Sequence, residues 1–172
     1  MGVTPLPTRL TQVLTNSDED ATTGGKRMDH EQFMRVALEE AQRAADEGNV
    51  GVGSVVVRDG DVVACGRNLV PVTHDPTAHA ETVALRNASE VLGTDDMNGY
   101  SLYTTFEPCP MCCGALMNAN IGSVILGGRP DPDQTRWDGY TMECLLEMCG
   151  WSDRMEVVTD VLFEECMSIR QP

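Results

Sequence analysis

The residues best suited to chemistry form two short runs, H-A-E at positions 79–81 and P-C-P-M-C at positions 108–112. His79, Cys109 and Cys112 offer one imidazole and two thiols. Three such ligands are the number that a catalytic zinc site uses when its fourth position stays open for water. Glu81 then remains as an acid close to that water, where a proton-transfer group is needed. The two runs therefore indicate a hydrolytic zinc site.

The spacing of these residues tells how a fold could assemble them. Cys109 and Cys112 are three positions apart at the predicted start of a helix, so one turn can aim both sulfurs at the same point. Backbone N–H groups at a helix N-terminus also favour thiolate over thiol. His79 lies in the first turn of another predicted helix. We expect the two helix starts to converge on one Zn²⁺ ion, whose bound water can reach a pKa near ~7.

Two other interpretations of the cysteine motif stay open at this point. C-P-M-C by itself is also typical of a redox dithiol, although that assignment leaves the H-A-E run without a role. A structural zinc site would need a fourth ligand. Cys113 is adjacent to Cys112, but neighbouring helical side chains point about 100° apart.

Length and composition indicate one domain and no membrane segment. The chain has 172 residues, of which 41% are hydrophobic, and no apolar run approaches the roughly 20 residues that cross a bilayer. The N-terminus lacks a basic-then-apolar signal pattern, so we expect a cytoplasmic protein. Without a secretory signal, the seven cysteines are expected to be reduced thiols or metal ligands.

The charge balance is strongly acidic. The chain carries 27 acidic and 12 basic residues, a net charge of −15, and Lys26 is its single lysine. Such a charge repels phosphate backbones, which makes nucleic acid an unlikely partner. The acidic surface is consistent either with ordinary solubility or with adaptation to high salt.

Hydrophobic periodicity and turn residues predict a three-layer α/β/α sandwich with a five-stranded mixed sheet and helices on both faces. Residues 1–28 show no periodicity and are predicted to be a flexible extension of a single domain over residues 29–172. Asp59-Gly60 predicts a tight hairpin. Ala80, Ala84, Ala88 and Val91 are predicted to form the buried stripe of the helix that follows His79. The predicted strands are 52–57, 61–66, 100–105, 122–126 and 155–158, and the predicted helices begin near residues 30, 78, 110, 140 and 160.

With these motifs assembled, the sequence resembles the zinc-dependent cytidine deaminase superfamily, which carries an H-x-E and P-C-x-x-C signature. The resemblance spans roughly residues 30–165 and is similar to the branch that holds guanine deaminase, cytosine deaminase and tRNA adenosine deaminase. The matching residues are Asn68, D-P-T-A-H-A-E at 75–81, Y-T-T-F-E-P-C at 103–109, Met111-Cys112 and Gly114-Ala115.

This resemblance implies a cytidine deaminase-like fold with one zinc ion per subunit on His79, Cys109 and Cys112, and Glu81 as the proton shuttle. It also implies a homodimer or higher homo-oligomer. Candidate substrate-binding residues are Asn68 and Glu107 in the motifs, and Trp137 and Tyr140 in the loop that closes the pocket of related enzymes. For Asn68 a turn-stabilising role, and for the two aromatics a core or interface role, remain the alternatives.

The substrate within this branch is predicted from charge. Each phosphate contact of a tRNA-binding protein draws on a Lys or Arg, yet the segment from Asp131 to the C-terminus holds ten acidic residues and three arginines. A small amino-substituted base, such as guanine, cytosine or isocytosine, is therefore the expected substrate, with hydrolytic release of ammonia. Adenosine-to-inosine editing of tRNA is the alternative.

Overall fold

The computed structural model of the protein describes residues 30–131 and 136–170. The prediction of a flexible extension over residues 1–28 lies outside these ranges. The described elements are, in chain order, α1 (His30–Asp46), β1 (Gly53–Arg58), β2 (Asp61–Arg67), α2 (Val70–Thr73), α3 (Ala80–Leu92), β3 (Ser101–Phe106), α4 (Pro110–Asn118), β4 (Ser123–Gly128), α5 (Met142–Met148), β5 (Glu156–Val158) and α6 (Phe163–Ile169).

The five strands form one mixed sheet in the order β2-β1-β3-β4-β5. Strand β1 runs antiparallel to both β2 and β3, whereas β3, β4 and β5 run parallel to one another. Asp59 and Gly60 join β1 to β2 with φ angles of 52° and 86°, the left-handed conformations that a two-residue hairpin turn requires. The mixed sheet and the hairpin are as predicted.

Alternate residues along the strands face two separate hydrophobic cores. Val55 and Tyr103 face a core shared with α1 and α6, while Val56 and Leu102 face the larger core against α3, α4 and α5. Successive side chains of a strand point to opposite faces of its sheet, so each strand contributes to both cores. The result is the predicted sandwich of helices, sheet and helices. None of the described helices is both long and apolar enough to cross a bilayer.

The buried face of α3 differs from the predicted stripe. Val91 is 59% exposed, although Ala80, Ala84 and Ala88 are fully buried. At about 100° per residue, Val91 falls between Ala80 and Ala84 around the helix, but it lies in the last turn of α3, beyond Ala88, the last buried residue of the helix. The arc is centred instead on Glu81, Leu85 and Ala88, all of which are buried. The prediction for Val91 was wrong because the apolar pattern continues past the part of α3 that is buried, and the predicted stripe also omitted Glu81, a carboxylate on the inward face.

Helix α3 packs closely against β2 at Gly66. A Cβ atom on Gly66 would lie 2.3 Å from the backbone N of Ala84 and 2.5 Å from the backbone O of Ala80. Distances this short leave no room for a side chain, so the helix backbone rests directly on the strand. This contact sets the height of α3 above the sheet, and with it the position of Glu81 in the first turn.

We expect the substitution Gly66→Ala to lower the free energy of unfolding by about 1–3 kcal/mol, the usual cost of overpacking, because backbone atoms of α3 must move. Urea denaturation followed by circular dichroism measures this change. Gly122→Ala is the matched control, since its Cβ would meet its nearest neighbour at 3.5 Å, and its effect should stay within about 0.5 kcal/mol. Equal stabilities of the two variants would contradict the close-packing argument.

Candidate active site

Two helix N-termini meet at the edge of the sheet where β3 and β4 end. His79 is the N-cap residue of α3 and Cys109 is the N-cap residue of α4, and both have extended backbone conformations. Neither side chain makes the capping hydrogen bond to its own helix. Pro110 occupies the first turn of α4, where its missing N–H and restricted φ suit a helix start. Both side chains are thereby left to face the space between the two helices.

The three predicted ligand atoms form a nearly equilateral triangle. Cys109 Sγ and Cys112 Sγ are 3.7 Å apart, and His79 Nδ1 lies 3.7 Å from the first sulfur and 3.6 Å from the second. A tetrahedral zinc ion with bonds of about 2.3 Å to sulfur and about 2.0 Å to nitrogen sets edges of roughly 3.8 Å between sulfurs and roughly 3.5 Å between sulfur and nitrogen. The observed triangle has these dimensions, so the donor set fits one zinc ion.

Across the described ranges 30–131 and 136–170, these three side chains are the group placed to hold a metal ion. Cys113, the possible fourth ligand of a structural zinc site, is fully buried in the core beneath α4 instead. The predicted assembly of the three ligands at two helix starts is therefore what the structure contains.

The two cysteines differ in their protonation. The hydrogen-bonded contact between the two sulfurs lowers the pKa of Cys109 to about 4, and the same contact, together with burial, raises the pKa of Cys112. Cys109 is therefore the ready thiolate, and Cys112 releases its proton when a cation binds, because zinc ligation requires both sulfurs deprotonated. Two thiolates and a neutral imidazole together balance the charge of Zn²⁺.

Glu81 stands directly beside this triangle. Its side chain is 3% exposed, and its Oε2 accepts a hydrogen bond from Cys112 Sγ at 3.5 Å. Burial raises the pKa of the Glu81 carboxyl above its ordinary value, which is the shift that a group needs to exchange protons near neutral pH. The position of Glu81 on the inward arc of α3 thus gives the site a carboxylate that can both accept and return a proton.

Asn68 lies just after β2, at the same edge of the sheet. Its Oδ1 accepts a hydrogen bond from the Val70 N–H at 3.2 Å, and its Nδ2 reaches the Val50 carbonyl at 3.5 Å. The first contact braces the start of α2, and the second is long and correspondingly weak. The side chain is half-buried. The amide therefore has a local structural partner, and its Nδ2 is held only loosely.

Trp137 and Tyr140 lie in one turn, closed by a hydrogen bond from the Tyr140 N–H to the Trp137 carbonyl at 3.0 Å. Trp137 is 43% exposed, and the Arg136 guanidinium lies over its ring at 5.0 Å. Tyr140 differs, since its hydroxyl donates to the Pro108 carbonyl at 2.6 Å and burial raises its pKa. Trp137 presents an aromatic face at the surface, whereas the Tyr140 hydroxyl is already bound within the protein.

Glu107 is also engaged within the protein. It is 7% exposed, and its Oε1 accepts the Met142 N–H at 3.0 Å. The Arg129 guanidinium lies 3.7 Å from Glu107 and 3.0 Å from Glu143. Sequence reasoning missed Arg129, which immediately follows β4, and the only signal for it was the break in apolar residues at that strand end. Glu107 and Arg129 together link the ends of β3 and β4 to the start of α5.

The comparisons with known proteins agree with this site. The family model for the cytidine and deoxycytidylate deaminase zinc-binding region matches residues 27–128, more than half of the chain. The chain belongs to this family. The family binds zinc, and the His-Cys-Cys triangle accommodates one ion per chain. The structural zinc and dithiol interpretations of the cysteine motif are thereby set aside.

Relatives of two kinds are similar to this member of the family. It is 36% identical to the tRNA-specific adenosine deaminase of Bacillus subtilis over 79% of this chain and 83% of that protein. It is 46% identical to the chloroplastic tRNA(adenine(34)) deaminase of Arabidopsis thaliana over 55% of this chain, which spans 7% of that longer protein. The crystal structure of guanine deaminase from Bacillus subtilis matches 73% of this chain and 95% of its own, with 32% identity and a TM-score of 0.57.

These relatives bear on the partner predicted from charge. Proteins named for their action on tRNA occur among the relatives of this chain, so the exclusion of nucleic acid on the basis of net charge is not supported. Zinc deamination stands as the shared chemistry of the family, and the comparisons leave the size of the substrate open between a base and a tRNA.

We expect the purified protein to contain one zinc ion per chain, and His79→Ala, Cys109→Ser or Cys112→Ser to lose most of it, because each substitution removes one of three ligands. Inductively coupled plasma mass spectrometry of the dialysed proteins gives the metal content. Cys144→Ser is the matched control, since it makes the same kind of change at an exposed thiol outside the ligand triangle. Loss of zinc from the control alone, or its retention in all three ligand variants, would contradict the assignment.

Proposed function

We propose that the protein is a zinc-dependent hydrolytic deaminase of a small amino-substituted nucleobase, a ring of the guanine, cytosine or isocytosine type. The observation that carries this proposal is the buried Glu81 carboxylate, 3.5 Å from Cys112 Sγ, beside a triangle of ligands with the dimensions of a zinc site. Such a pairing of an ion and an acid is the arrangement that hydrolysis of an amidine requires.

The reaction exchanges an amino group for an oxygen. Water adds to the ring carbon that bears the amine, the carbon–nitrogen bond breaks, and ammonia leaves, so that the oxygen of water becomes the carbonyl oxygen of the product. When bound, zinc lowers the pKa of water toward neutrality and so supplies the nucleophile. Glu81 moves the two protons of that water, one to the ring nitrogen and one to the departing amine. The raised pKa of its buried carboxyl suits both transfers.

The remaining candidates divide into two groups by their contacts. Trp137 has an exposed ring that can stack on a planar base, and such contacts are favourable between flat aromatic surfaces. Asn68 can turn its loosely held Nδ2 toward a polar edge of the ring. Glu107 and Tyr140 use the groups that they could offer to a substrate in contacts to Met142 and Pro108. We assign substrate contact to Asn68 and Trp137.

Three of the arginines near the site are paired with carboxylates, which supports a small substrate, and Arg136, whose charge acts on His79, is a further arginine there. Arg67 is paired with Glu47 at 2.8 Å, Arg86 with Asp75 at 3.6 Å and Arg129 with Glu143 at 3.0 Å. Each of these guanidinium groups would have to exchange a carboxylate partner for a phosphate in order to bind a nucleic-acid backbone. A phosphate contact contributes to affinity by neutralising charge, and a paired arginine gains less from it than an unpaired one.

We expect Glu81→Gln to lower kcat at least about 100-fold on the active substrate, because the amide keeps the shape of the side chain but cannot carry a proton. Ammonia release is measured over a panel of aminopurines and aminopyrimidines. The zinc content of the variant serves as the internal control and should equal that of the wild type. A variant that retains zinc and full activity would overturn the role of Glu81.

A second candidate, adenosine-to-inosine editing of tRNA, is favoured by the similarity to the Bacillus subtilis tRNA-specific adenosine deaminase along 79% of the chain. Incubation with an unmodified tRNA transcript that has adenosine at the first anticodon position, followed by sequencing for inosine, separates the two. For the small-substrate proposal we expect no inosine under conditions in which a free base is turned over. Inosine formation with no turnover of any free base would replace the first candidate by the second.

A further inference from the structure

We propose that Tyr140 and Glu107 are positioning residues that hold the zinc-binding loop 107–112 in place, and that neither contacts the substrate. This inference rests on the proposed function only in taking Cys109 and Cys112 as zinc ligands. The two residues form what we call the clasp, which consists of two hydrogen bonds between loop 107–112 and the segment 140–142 that leads into α5.

The two bonds of the clasp run in opposite directions. The Tyr140 hydroxyl of the α5 segment donates to the backbone carbonyl of Pro108 at 2.6 Å. In return, the Glu107 carboxylate of the zinc-binding loop accepts the backbone N–H of Met142 at 3.0 Å. Each segment thus contributes one side chain and one backbone group. Two such bonds prevent the segments from sliding or rotating against each other, which a single bond would allow.

The clasp acts on the peptide unit that carries Cys109. The carbonyl of Pro108 and the N–H of Cys109 belong to the same planar peptide group, so a hydrogen bond on that oxygen sets the orientation of the whole unit. The Sγ of Cys109 contacts His79 and Cys112 on one side. The orientation of the preceding peptide is the constraint on Cys109 that comes from the backbone side, and it is the one that the Tyr140 bond sets.

The first residue of the zinc-binding loop is also tied to the sheet through its backbone. The Glu107 N–H donates to the Gly128 carbonyl at 2.8 Å, which joins the end of β3 to the end of β4. Arg129 follows directly and places its guanidinium between Glu107 and Glu143. Glu107 is consequently fixed through its backbone on one side and through its carboxylate on the other.

The hydrogen-bonding capacity of the two side chains explains why they are not assigned to the substrate. A tyrosine hydroxyl has a single hydrogen to donate, and that of Tyr140 goes to Pro108. The Glu107 carboxylate is buried and faces Met142 and Arg129. A substrate that used either group would have to break a bond that positions the metal ligands. Groups that orient metal ligands in this way typically change metal affinity or activity 10–100-fold when they are removed.

The test measures zinc release, which needs no substrate. The wild type, Tyr140→Phe, Glu107→Ala and Glu107→Gln are loaded with zinc, and transfer of the metal to a chromophoric chelator is followed with time. We expect Tyr140→Phe and Glu107→Ala to release zinc about tenfold faster or more. Glu107→Gln keeps an oxygen that accepts the Met142 N–H, and its rate should stay within about threefold of the wild type.

Two matched variants control for general damage. Tyr100→Phe removes a hydroxyl at the opposite end of the sheet, where Tyr100 lies beside Arg58. Glu40→Ala removes a buried carboxylate from α1, where it is paired with Arg43 and Arg67. Both should release zinc at the wild-type rate even if their melting temperatures fall. Fast zinc release from these control variants would show that any loss of a buried polar group speeds zinc release, and it would overturn the positioning role of Tyr140 and Glu107.

Kinetics on the active substrate give the second readout. If the clasp positions the zinc ligands, we expect Tyr140→Phe to lower kcat and to leave KM close to the wild-type value. An increase in KM with an unchanged rate of zinc release would assign Tyr140 to the substrate and overturn the inference. Equal defects in Glu107→Gln and Glu107→Ala would overturn the role of the Met142 bond. If Glu107→Ala does not fold, the zinc-release rate of Tyr140→Phe still tests the inference. Zinc release can also be measured if the protein deaminates no free base, so the inference can be tested even if the proposed function fails.

Discussion

The sulfur atoms of Cys109 and Cys112 and the Nδ1 atom of His79 are held 3.6–3.7 Å apart. The positions of the surrounding helices and strands depend on this constraint. Two thiolates at this separation repel each other unless a cation lies between them or they share a proton. The fold meets the requirement by aiming two helix N-termini at one point, since the unpaired N–H groups of a helix start favour negative charge. The position of the zinc site is thus set by the N-termini of α3 and α4.

The same arrangement explains the position of the carboxylate. Helix α3 rests on β2 at Gly66 without an intervening side chain, and this close packing turns the arc of Glu81, Leu85 and Ala88 inward. A carboxylate in that arc is removed from water, which raises its pKa. A residue that would be unfavourable in an ordinary helix core becomes useful here, because a metal centre and a proton-transfer group must stand side by side. Glu81, which transfers protons in the proposed reaction, therefore lies on the same face of α3 as Leu85 and Ala88, which pack in the core.

Net charge was a poor guide to the partner. A total of −15 describes the field far from the protein, and it informs on solubility and long-range steering. Recognition depends on the few groups close to the site, and the family contains relatives named for tRNA as well as for guanine. The local pairing of Arg67, Arg86 and Arg129 with carboxylates describes single groups, and it is therefore the kind of observation on which recognition depends.

The sequence by itself determined the zinc ligands, the carboxylate beside them and the order of the elements. These follow from residue type, from three-residue spacing on a helical turn and from apolar periodicity, all of which are local. The tertiary structure alone decided the hydrogen-bond partners of Glu107 and Tyr140 and the inward arc of α3. Glu107 meets Met142 across 35 positions and Tyr140 meets Pro108 across 32. Contacts at such separations depend on how helices and strands pack, and residue type does not reveal whether a polar group faces the substrate or another part of the chain.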